Sequence, residues 1–125
     1  MNAQHLMTEG RRSLCPISSS LELIGDKWSL LIIRDMIYKG KSRYNDFLNS
    51  TERISTNILS DRLIMLAEKK LITYTGEGKR KMYVLTETGE DLKPVLEAMV
   101  VFGQKHFKGS REYMEKKVPE PGKLI

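Results

Sequence analysis

The chain has 125 residues, 40% of them hydrophobic and 30% charged, with 21 Lys and Arg against 16 Asp and Glu for a net charge of +5. That length suits one domain with short extensions, and no apolar run approaches the roughly 20 residues that a membrane span needs. A single cysteine, Cys15, excludes an intrachain disulfide and a cysteine-based metal site, and His5 and His106 are too far apart to suggest ligands, so no metal or cofactor is expected. The cationic excess favours a polyanionic partner without demanding one.

Met1 to Arg12 has no apolar stretch of the kind a secretion signal carries, so a cytoplasmic location is expected. Pro16 suits the first position of a short helix carrying Leu21 and Ile24, which Gly25 ends. Asp26 can cap the next helix, in which Trp28, Leu31, Ile32 and Asp35-Met36 give an amphipathic pattern that stops at Gly40. Ser42 is expected to cap a shorter helix with Tyr44, Phe47 and Leu48 on its buried side. After a polar connection, Asn49 to Arg53, comes the clearest helix start in the chain. Ser55 is the N-cap, and Ile54 and Leu59 form a hydrophobic staple around it. Leu59, Leu63, Leu66 and Lys70 make one stripe of this helix, which should run to about Lys69, with Ile64 and the polar residues elsewhere.

Leu71–Thr75 and Met82–Thr86 are rich in Thr, Tyr, Val and Ile and read as short strands around a glycine-containing tip that carries Lys79, Arg80 and Lys81. Thr86 or Thr88 should open one last long helix. Its face of Leu92, Val95, Leu96, Met99, Phe102 and Phe107 is wider than one small domain needs, which points to a homodimer. The division expected is an arm over 1–14, a domain over 15–108, and a charged, loosely ordered tail over 109–125 that carries Pro119 and Pro121. Two helices in tight succession followed by a basic hairpin make a winged helix-turn-helix: mainly α with a small β-hairpin wing, the architecture shared with MarR-like proteins.

Several segments resemble the HxlR family of bacterial winged-helix regulators. They are Cys15-Pro16-Ile17, Leu23-Ile24-Gly25-Asp26-Lys27-Trp28, Arg43-Tyr44-Asn45-Asp46-Phe47, Ile54-Ser55 with Leu59-Ser60-Asp61-Arg62-Leu63, and Tyr83-Val84-Leu85-Thr86-Glu87-Thr88-Gly89. The resemblance covers roughly Cys15 to Phe107. Phe102 stands where that family often has Trp, Lys70 where it usually has Gly, and Arg53 where it often has Gly. It implies a homodimer held by the terminal helices, whose two recognition helices enter successive major grooves of a pseudo-palindromic operator. It further implies, in some members, a response to electrophiles or oxidants through the cysteine in the place of Cys15.

The expected partner is therefore double-stranded DNA, and no catalytic constellation competes with it. Ser55, Thr56, Asn57, Ser60 and Arg62 are the candidates on the recognition helix, since Asn can pair with adenine and Ser or Thr with bases or phosphates. Lys79, Arg80 and Lys81, flanked by Arg43, are the candidates for phosphate. The plainer alternatives are a solvated helix face and a soluble turn. Cys15, with Arg11 and Arg12 upstream of a helix start, is either a reactive thiol or a small packing residue. A MarR-like ligand-responsive regulator and a winged-helix protein-interaction module remain the competing readings.

Overall fold

The computed structural model describes residues 10–117. Along the chain run α1 (Pro16–Ile24), α2 (Ser29–Tyr38), α3 (Tyr44–Leu48), α4 (Thr56–Glu68), β1 (Ile72–Thr75), β2 (Met82–Leu85), α5 (Glu87–Glu90), α6 (Lys93–His106) and α7 (Ser110–Lys117). The strands form one antiparallel hairpin in which Ile72 faces Leu85 and Thr75 faces Met82. This is the winged helix-turn-helix expected from the element order, with α3 and α4 as the helix pair and the hairpin as the wing.

Local chemistry sets most of the boundaries. Asp26 caps α2, its carboxylate accepting from the amides of Trp28 and Ser29 at 2.9 and 3.0 Å and from the Ser29 hydroxyl at 2.6 Å. Gly40, at φ 64°, takes the left-handed position that ends the same helix. Ser55 caps α4 by accepting from the Ile58 amide at 3.2 Å. Lys70 supplies the left-handed residue after α4, at φ 66°. The amides of Lys70 and Leu71 then bond back to the carbonyls of Ala67 and Leu66, which satisfies two carbonyls that the helix end would otherwise strand.

Three expectations need correction. Ser42 does not cap α3: the Arg43 amide donates to Asp46 Oδ2, while the Ser42 carbonyl accepts from the Tyr83 amide at 2.8 Å and so pins this segment to β2. The last helix is not continuous from Thr86. Thr86 does cap a helix by accepting from the Gly89 amide, but α5 ends after Glu90, because Pro94 has no N–H to donate to the Glu90 carbonyl. Residues 110–117 form α7 rather than a loose tail, after a turn at Gly109 with φ 88°. This stretch contains no Gly or Pro and holds good helix formers. Pro119, Pro121 and residues 1–9 of the expected arm lie outside the described residues.

The core is built on Leu59, Leu63 and Leu66 of α4, with Ile32 and Ile33 of α2, Phe47 of α3, Ile72 and Tyr83 of the hairpin, and Leu96 of α6. Leu96 is only 7% exposed and Leu92 packs against the same cluster, so these two members of the expected dimer face belong to the core of one chain instead.

Two single substitutions around the end of α4 test this account, with opposite signs. Lys70→Gly should raise unfolding stability by about 0.5–1 kcal/mol, since the left-handed strain it removes slightly exceeds the chain entropy that glycine adds. Gly89→Ala should lower it by about 1–3 kcal/mol, because a Cβ there would lie 2.0 Å from the Leu71 carbonyl oxygen. Urea denaturation followed by circular dichroism reads both.

Candidate nucleic-acid interface

Burying Leu59, Leu63 and Leu66 at i, i+4 and i+7 turns the opposite side of α4 outward. Ser55, Thr56, Asn57 and Ser60 are all exposed there, along with Asp61 and Ile64. The first turn holds no acidic residue, so the partial positive charge of the helix start is not neutralised locally. Four of the five expected recognition-helix residues thus share one accessible end. Arg62 does not join them. Its guanidinium pairs with Asp26 at 3.0 Å and Asp61 at 2.7 Å, tying the middle of α4 to the start of α2.

The wing places its cations beside α3. Gly76 and Gly78 adopt φ 82° and 56° at the tip, and a Cβ on Gly76 would lie 2.6 Å from the Arg80 carbonyl oxygen. An open groove of about 630 Å³ runs between tip and α3, lined by Arg43, Tyr44, Asn45, Gly78, Lys79, Lys81 and Tyr83. The groove thus gathers three of the four expected wing and flank cations and contains no carboxylate among its lining residues. Arg80 is exposed at the tip beyond it. The Lys81 ammonium sits 4.4 Å from the centre of the Tyr74 ring, and Tyr74 packs on Tyr83, which packs edge-on to Phe47. Through this chain of contacts the wing is braced on the core.

Residues given no site role in the sequence reading hold the connection between α3 and α4. Asp35 is 2% exposed and binds Arg34 Nε at 3.0 Å and Nη2 at 2.8 Å, together with the Ser50 hydroxyl. Lys41 approaches the same carboxylate at 3.6 Å. Arg34 also forks onto Glu52 through two bonds of 2.8 and 2.9 Å. The signal available in the sequence is Asp35 itself, an acid three residues after Ile32 on the apolar side of its helix. Tyr44, expected only to pack on the buried side of α3, also has a polar role: its hydroxyl lies 3.1 Å from both the Thr56 carbonyl and the Ser60 hydroxyl.

Cys15 is exposed at the N-cap of α1, and Arg11 reaches the same first turn by donating to the Ser19 hydroxyl at 3.3 Å. The expected dimer residues Val95, Met99, Phe102 and Phe107 are 40–62% exposed. Leu14, Ile17 and Leu21 at and in α1 are exposed as well, although its spacing puts Leu21 on the same helix side as buried Ile24.

The HxlR-like helix-turn-helix family matches residues 23–111. A HTH-type transcriptional regulator of Synechocystis, sll1512, is 34% identical over 93 residues, covering 72% of this chain and 68% of that one. A crystal structure assigned to the MarR family of transcriptional regulators, from Porphyromonas gingivalis, superposes with a TM-score of 0.68 at 28% identity, over 79% of this chain and 99% of that one. The redox regulator HypR in its oxidized form superposes with a TM-score of 0.64 at 28% identity, over 74% and 97%.

The ion pairs that seat the interface carry a pH dependence. Hydrogen bonding from Arg34 holds Glu52 below the usual carboxylate range. Burial pushes Asp26 upward, but hydrogen bonds from Ser29 and the Trp28 amide, with Arg62 nearby, outweigh it and leave Asp26 lowered too. Both carboxylates therefore contribute stability in full above their unfolded pKa values and lose it as pH falls through their lowered folded values. Glu52→Gln should be less stable than the parent at neutral pH, with the difference shrinking as pH falls below the ordinary carboxylate range. Denaturant melts from neutral to acid pH measure this.

Proposed function

The chain belongs to the HxlR-like helix-turn-helix family of DNA-binding transcriptional regulators, and from that premise we propose that it binds a pseudo-palindromic operator as a homodimer. The observation that carries this reading is the pairing of two surfaces that meet at Tyr44: the polar, exposed start of α4 and the cationic groove of Arg43, Lys79 and Lys81. In the proposed complex Thr56, Asn57 and Ser60 meet base edges in the major groove, with Ser55 at the helix start toward a phosphate. The wing, with Arg80 at its tip, tracks the adjoining backbone. Arg62 acts from behind, by holding α4 against α2.

The exposed apolar side chains of α6 and α1 support dimerisation through these helices, because Val95, Met99, Phe102, Ile17 and Leu21 stand in water on one chain alone. Two such copies would present two recognition helices to one DNA face. The likeness to HypR, a redox regulator, together with the exposed thiol at the start of α1, supports a response to oxidants or electrophiles at Cys15. With one cysteine per chain, the products are an adduct, a sulfenic acid, or a disulfide to a small thiol or to Cys15 of a second copy.

The reading is tested by binding to duplexes selected from a random pool. Replacing Lys79, Arg80 and Lys81 together with Ala should weaken specific and non-specific binding alike. The slope of log affinity against log salt should fall by about 0.9 for each phosphate that the wing no longer neutralises. Asn57→Ala should instead shift preference between sequences by about 1–3 kcal/mol. An unchanged salt slope would place the hairpin off the DNA and favour a protein partner. Sedimentation at micromolar concentration should give a dimer, and Met99→Asp with Phe102→Asp a monomer. Diamide should lower operator affinity in the parent and leave Cys15→Ser unaffected.

A further inference from the structure

The contacts of one phenol with the recognition helix determine which way a hydroxyl on the DNA-facing side can donate. The Tyr44 hydroxyl lies 3.1 Å from the carbonyl oxygen of Thr56, and a carbonyl only accepts, so the phenolic proton is committed to that bond. The same phenolic oxygen lies 3.1 Å from Ser60 Oγ. With the tyrosine proton already used, that second contact is a hydrogen bond only if Ser60 donates. The serine proton therefore points back toward α3, and the exposed side of Ser60 presents lone pairs alone.

Resting on the reading that α4 enters the major groove, we infer that Tyr44 is a specificity-determining residue, which makes Ser60 an acceptor and so directs it to the amino group of adenine or cytosine. In the major groove only adenine N6 and cytosine N4 donate, whereas guanine N7 and O6 and thymine O4 accept. An acceptor-only serine thus favours A or C on the contacted strand at one position of each half-site and disfavours G and T there. It also avoids phosphate oxygens, which only accept, so its contribution is to sequence rather than to general affinity. An unconstrained serine has no such preference, because its hydroxyl can rotate to donate or accept. Tyr44 reaches the base-reading surface from the groove side, since it also lines the space between α3 and the wing. The phenol acts through Ser60 and is a positioning residue.

Selection from a random duplex pool with the parent, Tyr44→Phe, Ser60→Ala and the double variant decides the matter. The parent should enrich a motif with A or C over G and T by about two- to tenfold at one half-site position, the range of a single hydrogen bond. Tyr44→Phe, which keeps the ring and removes only the hydroxyl, should relax that position alone, with the rest of the motif and the salt slope unchanged. Ser60→Ala should relax the same position, and the double variant should match Ser60→Ala. An unaltered motif in Tyr44→Phe, or relaxation at a different position from Ser60→Ala, overturns the inference while leaving the DNA-binding reading intact. A parent that enriches no motif overturns that reading and this inference together. Unchanged circular dichroism and thermal midpoint in Tyr44→Phe keep a folding defect from mimicking the result.

Discussion

The buried stripe of Leu59, Leu63 and Leu66 is the constraint on which the other elements depend. Each of these side chains is 2% exposed or less, and burying a leucine is worth about 1.5–3 kcal/mol. The hairpin, α2, α3 and α6 all supply side chains to the cluster around this one helix face. A helix so placed has its rotation about its own axis decided by packing. Its outer face is then left out of the core and can carry the polar chemistry that recognition requires. Ile64, 60% exposed on that outer side, is an apolar exception, and nothing in the fold calls for it.

Rotation alone does not aim a helix; its ends must be held too. At the N-terminal end Ser55 satisfies an amide, and Arg34 links buried Asp35 to Glu52 in the connection that delivers the chain to α4. At the C-terminal end the left-handed Lys70 turns the chain, the Thr86 hydroxyl donates to the Lys70 carbonyl at 2.6 Å, and the Thr86 amide donates to Leu71. Gly89 then packs against that same turn where no side chain would fit. The clamp that ends the helix also sets where the hairpin begins and returns. Helix and wing are thereby joined through one turn, and the aromatic stack from Phe47 to Tyr74 carries the bracing out to Lys81.

Among the described residues, the two non-glycine positions with left-handed backbone, Arg53 and Lys70, flank the recognition helix on either side. Both stand where the resembled family commonly has glycine, so the backbone shape persists here against a side chain that disfavours it. Conformational strain of about 1–2 kcal/mol at each place is outweighed by the bonds around it. The cost is borne at the two ends of α4, and not in the core.

How much is legible in the sequence follows the range of the forces involved. The cap at Ser55, the staple of Ile54 and Leu59, the cap at Asp26, the stop at Gly40 and the hairpin are all readable, because each depends on residues within a few positions of one another. The segments that resemble the family are readable for the same reason. Other features answer to distant partners. Ser42 has a suitable side chain for a cap, yet its carbonyl is taken by Tyr83 on the far strand, and Asp46 does the capping. Leu92 and Leu96 share a helical face with Met99, but the depth of the core separates buried Leu96 and half-buried Leu92 from exposed Met99. Arg62 reads as a cation available to DNA until Asp26 is folded against it. By itself the sequence determined the order and type of the elements and the polarity of each helix face, since these arise from neighbours along the chain. Only the tertiary structure decided which charged and hydroxyl groups stay free, because a hydrogen bond or ion pair formed across the fold removes a group from the surface that local pattern assigns it to.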